Sequence, residues 1–208
     1  MITVVISSYK YGHLAAHCVE SILSQSTKPE RILFVDDCVG DCSHIHKMYP
    51  EVEYYENPEN YGTVKNFQNM LSKVTTEYCM FIGADNWLRS DAIKTFSTII
   101  DLEKPDIVTY DMILTGELKI TRVKHHTEEV SRHQGDYHWK RKGYHHGSMV
   151  YKTEMAKAVG GYTKYNDSHQ TLEDLSLWTK MNDAGAKVLY IDEPFLYYRH
   201  HRQNFNTY

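Results

Sequence analysis

No run in the 208-residue chain approaches the roughly 18 apolar residues that a membrane-spanning helix needs. Net positive charge is missing as well. The 23 Lys and Arg stand against 27 Asp and Glu, a formal net charge of −4. That excludes the broad cationic field on which non-specific nucleic-acid binding depends, so no nucleic-acid partner is expected. The chain has no basic stretch leading into an apolar one at its start. It opens at once on Ile2-Thr3-Val4-Val5-Ile6, which predicts a cytoplasmic protein without a signal peptide. There is no GxxxxGK[ST] loop, which excludes a P-loop enzyme. No GxGxxG follows the first apolar run, which disfavours a dinucleotide enzyme. Internal repeats and low-complexity linkers are absent too. Cysteine is sparse: Cys18 and Cys79 lie in apolar segments and read as buried thiols. The run Cys38-Val39-Gly40-Asp41-Cys42-Ser43-His44-Ile45-His46 raises a zinc question. Structural zinc sites draw ligands from two separated pairs, and here all would crowd one short segment, so it reads as a structural loop.

Hydrophobic residues make up 41% of the chain, enough for a sizeable core in one α/β domain or one domain with a small appended layer. Strand-like runs fall at 2–7, 31–36, 52–56 and 78–82. Between them, 12–25 repeats Leu14, Cys18, Ile22 and Leu23 at helical spacing, and 62–74 does the same with Val64, Phe67, Met70, Leu71 and Val74. A further helix is predicted over 90–101. Such alternation, with near-continuous apolar strands, predicts a mixed, mostly parallel central sheet with helices on both faces. The second half is less regular. One or two strands are expected over 106–124, and a long His-, Lys- and Arg-rich loop over 125–146. A strand at 146–152, a short helix ending at Gly160-Gly161, a helix at 172–184 and two strands at 187–191 and 195–200 complete the prediction.

Ligands of open parallel sheets bind beyond the carboxyl ends of the strands. Those ends here carry Ser7-Ser8-Tyr9, Asp36-Asp37 and Gly83-Ala84-Asp85-Asn86. An acidic edge repels a diphosphate unless a divalent cation bridges them, and Mg²⁺ and Mn²⁺ favour carboxylate and phosphate oxygens. The edge therefore predicts a metal–diphosphate ligand. Each residue also has a plainer explanation. Asp36, Asp37 and Asp85 could simply start turns. Thr171-Leu172-Glu173-Asp174 has the spacing of a capping box, with Thr171 capping and Asp174 reaching back.

Six segments in one order resemble the GT-A fold glycosyltransferases of the inverting family 2 type, over nearly the whole chain. They are VVISSYKYGHLAAHCVESILSQS, FVDDCVGD, NPENYGTVKNFQNML, FIGADNWLRSDAI, HGSMVYKTEMAKAVGGY and TLEDLSLW. The resemblance implies one domain over 1–208, with a nucleotide-binding half (1–100) and an acceptor-side half (101–208). It implies a nucleotide-sugar donor, a UDP-sugar by family preference, a Mn²⁺ or Mg²⁺ cofactor, and a glycan or glycoprotein acceptor. Carried over by position, Ser7 and Tyr9 line the nucleotide pocket and Asp37 accepts a hydrogen bond from the base. Asp85 binds the metal of the DxD loop, Asp174 is the general base, and Glu173 shapes the acceptor side. Gly83, Ala84 and Asn86 stand where many relatives carry further acidic residues, leaving Asp85 as the lone carboxylate of the loop. A carboxy-terminal cation near the diphosphate would help; Arg199, His200 and His201 are candidates, with His201 placed beside the metal. The basic segment 119–146 reads as a cover over the substrates or as a solvated loop. At this length the chain also resembles the amino-terminal glycosyltransferase domain of a larger chlorella-virus protein, which implies further domains, a viral glycan acceptor and the host cytoplasm. Two other classes compete. A sugar-phosphate nucleotidyltransferase would carry a Gly-rich basic loop where Ser7-Ser8-Tyr9-Lys10-Tyr11-Gly12 stands. A non-catalytic carbohydrate-binding module would explain the thinned DxD loop.

Overall fold

The computed structural model describes residues 1–116, 130–133, 136–140, 145–165 and 172–201. Strands β1 (Ile2–Ser8), β2 (Arg31–Asp36), β3 (Glu53–Glu56) and β4 (Tyr78–Gly83) run parallel in the order β3-β2-β1-β4. Helices α1 (Gly12–Leu23), α2 (Ser43–Met48) and α3 (Gly62–Lys73) connect them. Apolar side chains fill both faces of β1, β2 and β4, as expected of strands covered on each side. After β4 come β5 (Trp87–Leu88), α4 (Ala92–Glu103) and β6 (Ile107–Gly116). A short antiparallel strand, β9 (Val150–Lys152), joins the halves by pairing with β4 on one side and β6 on the other. Next follow α5 (Thr153–Ala158), α6 (Glu173–Asp183) and β10 (Val188–His200), which lies parallel to β6. The sheet is thus mixed and mostly parallel with helices on both faces, as the alternation of patterns predicts.

Three expectations need correction. The segment 125–146 is not a loop throughout: β7 (Val130–His133) and β8 (Asp136–Trp139) form a hairpin, and β8 pairs with β6 where β9 stops. Its polar sequence lacks a two-residue apolar rhythm because what it places inward is Trp139 and the polar His138. The two closing strands are one strand, β10, whose register against β6 shifts around Pro194, where proline cannot donate to the ladder. Helix α2 and the two-residue β5 are too short to leave a periodic signal. The expected strand at 146–152 begins only at Val150. Residues 117–129, 134–135 and 141–144, which hold most of the basic segment, lie outside the described residues, as does Thr171.

Register fixes what sits where along the carboxyl edge. Val4, Met80, Val150 and Val108 are paired in one line across β1, β4, β9 and β6. Three residues towards the carboxyl ends of β1 and β4 stand Ser7 and Gly83, which are paired, and three residues further along β6 stands Asp111. Side chains alternate along a strand. Val5, Cys79, Phe81 and Ile107 share a core with residues of α3, α5 and α6. Positions 7, 83 and 111 therefore face that same side.

Candidate active site

The two acids ending β2 do different work. Asp36, fully buried, accepts the backbone N–H groups of Val39, Gly40 and Cys42 at 3.0, 3.0 and 3.3 Å. Asp41 receives the Gly12 N–H at 2.9 Å, and a Cβ on Gly12 would lie 2.3 Å from the Asp41 carbonyl oxygen. This stitching folds the loop against α1. The ligand atoms of Asp36, Asp41 and Cys42 lie within 4.8 Å of one another, but the Asp36 carboxylate is already taken by amides. The Cys42 Sγ lies 3.2 Å from both Ser8 Oγ and Asp41 Oδ1, either of which its one S–H can reach, and burial pushes its pKa far above the ordinary range. All four cysteines are free, and Cys38 is exposed. The loop is held by hydrogen bonds, in keeping with a structural reading of the Cys–His run.

Asp37 is buried in a network that ties three motifs together. Its Oδ1 accepts Asn57 Nδ2 and the Tyr61 N–H, each at 2.8 Å, and its Oδ2 accepts the Gly62 N–H at 2.9 Å. Asn57 also donates to Asn66 Oδ1 at 2.9 Å, and Asn66 donates to Ser7 Oγ at 3.0 Å. Carboxylate, amides and hydroxyl thus run from β2 through α3 to β1. Tyr9, beyond β1, is 37% exposed, with Lys10 Nζ over its ring 4.9 Å from the centre.

Asp85 and His201 meet. The carboxylate Oδ2 lies 3.1 Å from His201 Nε2, and both residues are buried. Tyr11 packs edge-on against the His201 ring at 5.4 Å. Burial pushes the Asp85 carboxyl above its usual range, and the His201 hydrogen bond pulls partly against this. Gly83 makes the arrangement fit: a Cβ there would stand 2.6 Å from Asp85 Oδ1. Arg199 braces the loop from behind. Its Nε donates to the Asp85 carbonyl at 2.9 Å, its backbone N–H to Asn86 Oδ1 at 2.9 Å, and its guanidinium lies 4.7 Å from the Trp87 ring centre. His200 is half-buried, and burial lowers its pKa. Of the three carboxy-terminal candidates, Arg199 meets the Asp85 carbonyl and His201 the Asp85 carboxylate.

Asp174 lies in the first turn of α6 with Glu173. The residue preceding the helix is Leu172, in the left-handed region at φ 45°, and it makes no side-chain cap. A branched-chain residue there costs on the order of 1–2 kcal/mol, a strain set directly before the two acids. Asp174 Oδ1 accepts the N–H of Leu175 at 2.8 Å. Its Oδ2 lies 4.0 Å from His145 Nε2 and 3.5 Å from where a Gly147 Cβ would stand. Its side chain is 26% exposed. The helix amino terminus favours the ionised form.

The predicted residues therefore fall into three groups along one sheet edge: Ser7, Tyr9 and Asp37; Asp85 and His201; Glu173 and Asp174. Gly83, packed against Asp85, is paired with Ser7, and Gly147 stands beside Asp174. Asn57 and Asn66 stood inside a quoted motif without a role, and they bridge Asp37 to Ser7. His145 could not be singled out among the histidines of its segment.

A mostly parallel sheet with such a carboxyl edge has the architecture of GT-A glycosyltransferases. The chain belongs to glycosyltransferase family 2, whose profile, Glycosyl transferase family 2, matches residues 3–166. It is 29% identical over 98 residues to Glycosyltransferase GlyA of Streptococcus pneumoniae, which covers 45% of this chain and 14% of that protein. Among solved structures, it resembles S. aureus TarS 1-349 in complex with UDP-GlcNAc, with a TM-score of 0.77 at 16% identity, over 98% of this chain and 59% of that one. The UDP complex of the same protein gives a TM-score of 0.74 at 16% identity, over 96% and 60%. The chain thus spans less than two thirds of these relatives.

Proposed function

We propose that this chain transfers a sugar from a UDP-sugar to an acceptor hydroxyl on a glycan or glycoprotein, with inversion, and that it uses a divalent cation. The observation that carries this reading is the buried Asp85–His201 pair on the same sheet edge as Asp174. In support, family 2 membership brings nucleotide-sugar chemistry, and the TarS complexes hold UDP-GlcNAc and UDP.

The donor set suits a metal. Two adjacent ligands about 2.1–2.2 Å from an octahedral ion stand about 3 Å apart, and Asp85 Oδ2 and His201 Nε2 are 3.1 Å apart. One carboxylate and one imidazole favour Mn²⁺ over Mg²⁺, which prefers oxygen alone. When bound there, the ion would neutralise charge on the departing diphosphate. The remaining roles belong to the chain. Ser7, Tyr9 and Asp37 line the nucleotide side, with the Tyr9 ring beside the base. Asp37 has three protein donors already, so its part includes holding the start of α3 in place. Asp174 takes the proton of the acceptor hydroxyl through Oδ2 as that oxygen bonds to the anomeric carbon. The bond from that carbon to the diphosphate oxygen breaks, and the nucleoside diphosphate leaves. A general base of this kind contributes about 10²–10⁴-fold. Glu173 shapes the acceptor side.

A screen of nucleotide-sugars with and without Mn²⁺ tests the reading. Metal-dependent release of nucleoside diphosphate is expected. Pyrophosphate exchange would instead identify a nucleotidyltransferase, and binding without turnover a carbohydrate-binding module.

A further inference from the structure

The transfer reading leaves one buried carboxylate without a task. Asp111, in the middle of β6, is fully buried. Its Oδ1 accepts the Tyr190 hydroxyl at 2.6 Å, and its Oδ2 lies 2.7 Å from His138 Nε2. Asp111 faces the same side of the sheet as Gly83 and Ser7. The segment 145–148 leads into β9, which pairs with β6 at Ile107 and Val108, and its Gly147 is packed near Asp174. Two Asp–His pairs, Asp111–His138 on β6 and β8 and Asp174–His145 at the start of α6, thus stand among the described residues of the second half.

Part of this pairing is compensation, because a carboxylate inside a sheet must be hydrogen-bonded. Compensation alone does not explain the histidine's other edge. His138 is held through Nε2, its side chain is 17% exposed, and among the described residues nothing bonds to Nδ1. A ring fixed at one nitrogen by a buried carboxylate has a set orientation and tautomer. The remaining nitrogen is then aimed, and it can accept from or donate to a hydroxyl according to its protonation. Near it, Lys140 and Asp192 pair at 3.3 Å, and Asp192 Oδ1 lies 3.3 Å from the Tyr190 oxygen, whose one proton goes to the nearer Asp111.

We propose that His138, oriented by Asp111 and through it by Tyr190, binds the acceptor. In this assignment its Nδ1 hydrogen-bonds a hydroxyl of a carbohydrate lying over Gly147 in front of Asp174, and it sets which acceptors are used. The assignment rests on the transferase reading above.

The test uses the full chain with Mn²⁺, the donors UDP-glucose, UDP-galactose and UDP-GlcNAc, and p-nitrophenyl glycosides of glucose, galactose, mannose and N-acetylglucosamine as acceptors. UDP release without acceptor and transfer against acceptor concentration are measured separately. His138→Gln keeps an N–H for Asp111 and loses the aimed ring nitrogen. It is expected to raise acceptor KM about tenfold or more while donor KM and UDP release change by less than about twofold. Asp111→Asn, which frees the ring tautomer, is expected to move acceptor KM in the same direction. Acceptor KM unchanged in both variants, or UDP release falling in step with transfer, overturns the assignment and leaves a structural pair. So does a wild-type enzyme that hydrolyses donor yet glycosylates none of the four acceptors. No donor turnover at all is a different failure: it sinks the transferase reading, and this proposal with it.

Discussion

A single methyl group at Gly83 should separate the metal site from the fold. The glycine ends β4 with ordinary backbone angles, since its φ is not among the positive ones. Alanine is therefore compatible with the backbone, and only space is at issue. An ideal Cβ would lie 2.6 Å from Asp85 Oδ1 and 3.1 Å from Asn86 Nδ2. Carbon and oxygen normally approach no closer than about 3.3 Å, so the carboxylate must move by about 0.7 Å. Ligand distances in metal sites tolerate only about 0.2 Å. Turning the carboxylate away from the methyl group would also disturb Oδ2, which is the atom facing His201. The overpacking itself costs about 1–3 kcal/mol, and at this length each kcal/mol lowers Tm by about 2–4 °C. Gly83→Ala should thus fold, melt a few degrees lower, and bind UDP with Mn²⁺ at least about tenfold more weakly. Its metal-free UDP affinity should stay near wild type. Calorimetry with and without Mn²⁺, beside a thermal melt, reads all three quantities. Wild-type Mn²⁺-dependent affinity in a folded Gly83→Ala protein would refute the idea that the position of Asp85 governs the metal site.

Three further outcomes follow from the same geometry. Burial raises the Asp85 pKa in the folded state, so its ionisation costs stability that is lost as pH rises through that raised value; Asp85→Asn should therefore melt higher than wild type near pH 7 without metal. The same variant should lose the stabilisation that Mn²⁺ plus UDP gives wild type, about 2.7 kcal/mol at a hundredfold excess over Kd, measured by thermal shift. Asp37→Ala strands the donors of Asn57, Tyr61 and Gly62 and should cost about 3 kcal/mol or more in urea unfolding, with nucleotide binding weakened whether or not metal is present. Asp174→Asn should keep thermal stability and donor affinity and lower transfer by about 10² or more, read from initial rates; full activity would remove the base from the mechanism.

How much of this was legible in the sequence depends on whether a residue acts through its own strand or through a distant one. The end of β1, the Asp36-Asp37 pair and Asp85 could be found because buried strands announce themselves as apolar runs, and the polar residue that breaks a run marks the edge. Which acid of the pair builds the loop could not be found. Asp36 meets amides three to six residues on, whereas Asp37 meets Asn57, Tyr61 and Gly62 across the fold. The capping-box spacing at 171–174 suggested a helix start but not its form. The helix begins at Glu173 after a left-handed Leu172, and the Asp174 side chain serves the amide of Leu175. His138 was hidden for a related reason. Its segment has no periodicity because β8 replaces β9 beside β6, and the buried side of that replacement is an Asp–His pair.

Gly83 stands where the resemblance to family 2 leads one to expect a further acid, and residue type and geometry give it opposite meanings. By residue type, Gly83-Ala84-Asp85-Asn86 reads as a weakened metal loop, which is the best support for the rival reading of a non-catalytic module. By geometry, the missing side chain leaves the space that Asp85 Oδ1 occupies, and Ala84 is fully buried in the core with no opening toward a ligand. A second carboxylate at 83 would collide with the first before it could share an ion with it. In the proposed metal site the second ligand would come instead from His201, whose ring meets Asp85 from the end of β10, beside Arg199 on the Asp85 carbonyl. The loop has thus not simply lost ligands. One carboxylate has been given room, and its partner nitrogen arrives from 116 residues away in sequence, which is why the number of acids in a motif is a poor measure of whether the site can hold a metal.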